Sequence, residues 1–119
     1  MSRTADQIAA LRRAVTGDHT PSSDFDLNPE TVLPPDRKLR PAGVLAAFLP
    51  GKDGLDLLLT KRSSRLKHHP GQIAFPGGKI DAGDADATAA ALREAWEEVG
   101  LDPANVDILG PLPPHETVT

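Results

Sequence analysis

Cysteine is absent from the 119 residues, which excludes disulfides and thiolate metal sites. Any metal must therefore be held by carboxylates, histidines and carbonyls, ligands that favour a hard ion such as Mg²⁺ or Mn²⁺. Long apolar runs are also missing. The longest, Ala42 to Pro50, is far too short to span a bilayer. The N-terminal stretch from Met1 to Val15 lacks the apolar core of a secretory signal, so a cytoplasmic protein without membrane contact is expected. Basic residues are not in excess either. Thirteen Lys and Arg against 17 Asp and Glu leave a formal charge of -4, which argues against a nucleic-acid binder and its basic footprint.

One local absence is more informative. No acidic residue occurs from Leu57 to Ile80, where Lys61, Arg62, Arg65, Lys67 and Lys79 are all basic. Asp81, Asp84, Asp86, Glu94, Glu97 and Glu98 follow at once. A cationic segment beside an acidic one suits a phosphate-rich ligand held partly by side chains and partly through a metal. Two solvated faces with no shared ligand would give the same pattern.

The length allows one domain, and a chain 39% hydrophobic and 25% charged has the composition of an ordinary soluble protein. Residues 5–15 pattern as a short helix with Ile8, Leu11 and Val15 on one side. Residues 16–41, with Pro21, Pro29, Pro34, Pro35 and Pro41, read as an arm. The chain thus divides into a helix and Pro-rich arm over 1–41 and a compact domain over 42–119. In that domain strands are expected at Val44–Leu49 and Leu55–Lys61, joined by a turn at Pro50–Gly54. A basic loop over 62–71 leads to a strand at Gln72–Phe75, which ends at Pro76-Gly77-Gly78. A helix from Asp86 to Val99, closed by Gly100, and a strand at Val106–Leu109 complete the pattern. The expected class is α/β (α+β), a mixed sheet with helices packed on it.

The helix carries the chemistry. At roughly 100° per residue, with Glu94 at zero, Glu97 falls near -60° and Glu98 near +40°, so three carboxylates share an arc of about 100°. Like charges at this spacing destabilise a helix by a few tenths of a kcal/mol per pair, and a divalent cation would relieve that repulsion. A solvent-facing acidic stripe beside Arg93 is the plainer explanation. Leu92, Trp96, Val99 and Ala89 fall on the opposite side, which is expected to pack on the sheet. Ala87, Ala90 and Ala91 are expected to leave room above the acids. Gly77-Gly78 favours a site, because paired glycines at a strand end let the backbone approach a ligand.

These residues resemble the Nudix box, G-x5-E-x7-R-E-U-x-E-E-x-G-U with U bulky and apolar. The chain reads Gly78-x5-Asp84-x8-Arg93-Glu94-Ala95-Trp96-Glu97-Glu98-Val99-Gly100-Leu101. It departs at Asp84, at one additional residue before Arg93, and at the small Ala95. Upstream, Leu58-Leu59-Thr60-Lys61-Arg62-Ser63, Lys67, Gly71 and Phe75-Pro76-Gly77-Gly78 resemble L-L-T-x-R-[SA]-x3-R-x3-G-x3-F-P-G-G of the coenzyme A-directed branch. Lys67 there keeps the charge of the usual arginine without its planar fork.

The resemblance implies a Nudix-like mixed sheet carrying the box helix, and a fold that continues past it. The chain is therefore expected to be part of a longer one, with 42–119 incomplete at its C-terminus. It also implies Mg²⁺- or Mn²⁺-dependent cleavage of the coenzyme A pyrophosphate to 3′,5′-ADP and 4′-phosphopantetheine. Glu94, Glu97 and Glu98 would hold the metal, with the Gly77 carbonyl a further ligand, and Glu94 would alternatively orient or deprotonate the water. Arg93 would steady the glutamates by ion pairing. Arg62, Arg65 and Lys67, with Gly78, would face the substrate phosphates. Trp96 is expected to pack, and His68 and His69 to lie on the surface. Two alternatives stay open: another substrate, such as an ADP-sugar or dinucleoside polyphosphate, or an inactive fragment serving as a binding module. A small nucleotide-like molecule is the expected partner, and pairing of two copies is left open.

Overall fold

The computed structural model describes residues 3–17, 20–23, 39–61 and 71–116. Helix α1 spans Arg3–Thr16, with Asp6 in its first turn and Arg13 in its last, both favourable to the helix dipole. Ile8, Leu11 and Val15 are half-buried along one side. The helix lies against strand β4 (Gly54–Leu57). There Gln7 Oε1 accepts from the Leu55 backbone N–H at 2.7 Å, and Gly54 leaves space for it, since a Cβ would stand 2.6 Å from that oxygen.

The strands are short and pair two by two. β2 (Ala42–Val44) runs antiparallel to β7 (Gly77–Lys79), and β3 (Phe48–Gly51) antiparallel to β4. β5 (Thr60–Lys61) is antiparallel to β6 (Ile73–Ala74), while β1 (Ser22–Ser23) is parallel to β8 (His115–Glu116). The expected strand Val44–Leu49 is in fact two, because the chain changes partner along it. Leu45 N–H still donates to Pro76 in the β2–β7 ladder, whereas the Ala47 carbonyl already accepts from Leu58 beside the β3–β4 ladder. The stretch Leu55–Lys61 divides in the same way between β4 and β5. Val106–Leu109 carries no ladder; it follows a 3₁₀ turn, Pro103–Asn105, whose cap Asp102 accepts from the Ala104 N–H.

Helix α2 spans Ala87–Val99. Asp86 caps its start by accepting from the Ala89 N–H at 2.8 Å. Gly100 ends it in the left-handed region at φ 71°, with its N–H on the Trp96 carbonyl. The helix rests on β2 and β7 through Ala90, Ala91 and Ala95, all buried, and each buried methyl is worth about 0.8 kcal/mol. This corrects the expected packing side. Trp96 is 54% exposed and Val99 is exposed as well, while Ala90 and Ala91, two of the three alanines expected to leave space, are buried against the strands. The reason is the backbone of β2: a Cβ on Gly43 would overlap the Ala87 carbonyl. A helix seated that close has room for methyl groups and not for an indole.

Candidate functional site

The contact between α2 and the β2–β7 pair places Arg93 over the loop that leaves β7. Its guanidinium uses all three nitrogens. Nε donates to Asp84 Oδ1 at 3.0 Å, and Nη2 donates to Asp84 Oδ2 and to the Lys79 carbonyl, each at 3.1 Å. Asp81 Oδ2 lies 3.3 Å from the same Nη2. Nη1 donates to Glu94 Oε1 and to Glu97 Oε2, both at 3.2 Å. The loop is closed on itself, since Asp84 Oδ2 accepts from the Asp81 N–H and the Asp81 carbonyl from the Asp84 N–H.

The electrostatics follow from this node. Asp84, with 6% of its side chain exposed, is held below the usual carboxylate range, first by the hydrogen bond from Arg93 and then by the backbone N–H of Asp81. Arg93 is pushed above its ordinary value, chiefly by the same bond to Asp84. The bidentate fork is the geometry that suits an arginine and a carboxylate best.

Glu94 reaches its place because residue 78 has no side chain: a Cβ on Gly78 would stand 2.6 Å from Glu94 Cδ and Oε1. Gly78 therefore makes room for a carboxylate of α2. Strand register does the rest. Leu45 pairs with Pro76 and Ile80 with Pro41 through ladder hydrogen bonds, and antiparallel pairs alternate. The carbonyls of Gly77 and Lys79 consequently point away from β2, and Lys79 uses its own to meet Arg93.

Glu94 and Glu97 are thus turned toward one cationic nitrogen, and Glu98 lies exposed on the same helix. Among the described residues no three acidic or histidine side chains are gathered closely enough to hold a metal ion as they stand. Glu94 and Glu97 meet at Arg93 Nη1, and Glu98 is not gathered with them into a set of three. The donors still fit a hard divalent ion: they are oxygens, partly open to solvent, and two already share a positive charge. Arg62, Arg65 and Lys67, and with them His68 and His69, lie outside the described residues. Sequence reasoning missed the parts of Asp81 and the Lys79 carbonyl. The only signal for Asp81 was its place three residues before Asp84 in a glycine-containing loop.

Residues 39–119 match the NUDIX domain family. The chain belongs to the Nudix family. It is 60% identical over 63 residues to a protein named uncharacterized Nudix hydrolase NudL from Enterobacter sp. (strain 638), a match covering 53% of this chain and 33% of that protein. The protein of the same name from Escherichia coli (strain K12) is 59% identical over the same length and the same shares. In both cases the match spans about a third of the relative's length. A NudL protein from Klebsiella aerogenes is 46% identical over 97 residues, covering 78% of this chain and 76% of its own. Within this Nudix domain the departures from the box have structural grounds. Asp84 reaches Arg93 from the longer loop, and Ala95 is fully buried against the strands, where a bulky side chain has no place. Among the described residues no helix is long and apolar enough to cross a membrane.

Proposed function

We propose that this Nudix chain serves metal-dependent hydrolysis of a pyrophosphate linkage in coenzyme A or a derivative, giving 3′,5′-ADP and 4′-phosphopantetheine. The observation that carries the reading is the run from Leu58 to Leu101, in which the upstream signature leads directly into the box. Support for a charged reaction centre comes from α2, where Glu94 and Glu97 share the Nη1 group of Arg93.

Glu94, Glu97 and Glu98, with the Gly77 carbonyl, would hold Mg²⁺ or Mn²⁺. Bound there, the ion would offset the charge that builds on the pyrophosphate oxygens as water attacks. Glu94, seated in the space left by Gly78, would alternatively orient the water or take its proton. Arg93 would steady Glu94 and Glu97, both of which it reaches through Nη1. Arg62, Arg65 and Lys67 would grip the phosphates of the substrate, so the acidic and basic segments divide the work between metal and anion.

The test is a substrate panel. Coenzyme A, ADP-ribose and diadenosine tetraphosphate are offered side by side with Mg²⁺ and with Mn²⁺. Preferred cleavage of coenzyme A supports the reading; a preference for either of the others assigns the chain to another Nudix substrate class.

A further inference from the structure

The ladder of β3 and β4 leaves β4 with an outer edge, and a side chain covers part of it. Leu58 donates inward to the Ala47 carbonyl at 2.9 Å, and Asp56 stands opposite Leu49 in the register. Main-chain groups alternate between the two edges of a strand, so those of Leu55 and Leu57 point away from β3. Leu55 uses its outward N–H on Gln7 Oε1 of α1 at 2.7 Å, in a part-buried bond. Gln7 thus takes the place that the carbonyl of a neighbouring strand would fill, and Gly54 makes room for it. Further along, the stretch is open to solvent: Leu57 is 42% exposed and Leu59 47%.

We propose that the outer edge of β4 is a self-pairing site, closed by Gln7 and opened to a second copy of the chain when that contact is lost. An unpaired strand edge is a template for another strand. The sequence fits its own copy in antiparallel register about Leu57. Leu57 then faces Leu57 of the second copy, and Leu55 faces Leu59, so the paired edges cover apolar surface that is now exposed. Asp56 stands opposite Leu58 and not another acid, and the same register brings Lys61 of each copy toward Asp53 of the other. Opposite charges across a ladder are favourable, whereas like charges directly opposite are not. The cover is lightly held, because α1 has no fully buried residue and one hydrogen bond contributes little net stability. The box helix α2 takes no part, so the surface is separate from the metal and substrate residues.

The test is sedimentation velocity over a range of concentrations for the wild type, Gln7→Ala, and Gln7→Ala combined with Leu57→Lys. Alanine keeps the helix and removes only the acceptor. Gln7→Ala is expected to form dimers at concentrations about five- to tenfold lower than the wild type, the worth of one hydrogen bond. Lysine at position 57 is expected to restore the monomer, since a charge on a strand edge blocks pairing. Gln7→Ala that sediments like the wild type at every concentration overturns the proposal, and so does a dimer that survives Leu57→Lys. Amide hydrogen exchange of the wild type supplies a second readout that needs no variant. The Leu55 amide is expected to be protected and the Leu57 amide to exchange freely. A Leu55 amide as fast as that of Leu57, or a wild type already paired with its Leu57 amide protected, would contradict the cover assigned to Gln7.

Discussion

The Asp84 carboxylate accepts from both Nε and Nη2 of Arg93, at 3.0 and 3.1 Å, and so fastens the loop after β7 to the middle of α2. The same arginine also meets the Lys79 carbonyl and Asp81, so three points of the loop are tied to the helix through it. It also determines where Glu94 and Glu97 lie, because both meet the third nitrogen of the same arginine.

Asp84→Asn is expected to lower stability at neutral pH and to change how stability depends on pH. The folded carboxyl titrates below its ordinary value of 3.8, so its contribution is complete above the unfolded value. It is lost as pH falls through the lower folded value. Thermal denaturation at pH 7 and in the acid range should show the wild type losing this increment and the variant having none to lose. An unchanged acid slope in the variant would count against the pair. Activity should fall by about 10–100-fold, the usual effect of removing a group that orients ligands.

Gly43→Ala and Gly78→Ala should separate folding from function. At Gly43 the added methyl meets helix backbone, which cannot yield, and a cost of about 1–3 kcal/mol or more is expected in a denaturant titration. At Gly78 it meets the Glu94 side chain, which can swing aside. There the loss should appear mainly in turnover. Equal stability losses in both variants would contradict this division.

Glu97→Gln and Glu98→Gln should each abolish turnover, by about 10²-fold or more, while far-UV circular dichroism keeps the wild-type form. Normal activity in both variants would remove these residues from the metal assignment.

Arg62→Ala is expected to raise KM for coenzyme A more than KM for ADP-ribose. Equal increases on the two substrates would show that the basic segment does not select coenzyme A.

The box helix was legible in the sequence almost to the residue, since Asp86 and Gly100 are strong terminal signals and both caps are formed. The hairpin of β3 and β4 was legible from its turn residues. The strand ends were not, because partner changes near Ala46 and Leu59 leave no mark on the hydrophobic pattern. Gly77-Gly78 read as a strand end and proved to lie within β7. The largest error concerned the buried side of α2. Placing the packed side opposite the acids puts Trp96 and Val99 on it, whereas a glycine on the facing strand brings the helix so near that Ala90, Ala91 and Ala95 are the residues buried there. The carboxylate arc was visible from helical spacing, but the contacts that hold Arg93 beside Glu94 and Glu97 depend on a loop conformation that spacing does not encode.

The most direct test incubates the purified chain with coenzyme A, with and without Mg²⁺ or Mn²⁺, and identifies the products by mass. The account predicts release of 3′,5′-ADP and 4′-phosphopantetheine only when the metal is present. Cleavage that is indifferent to metal, or no cleavage with either ion, would contradict it.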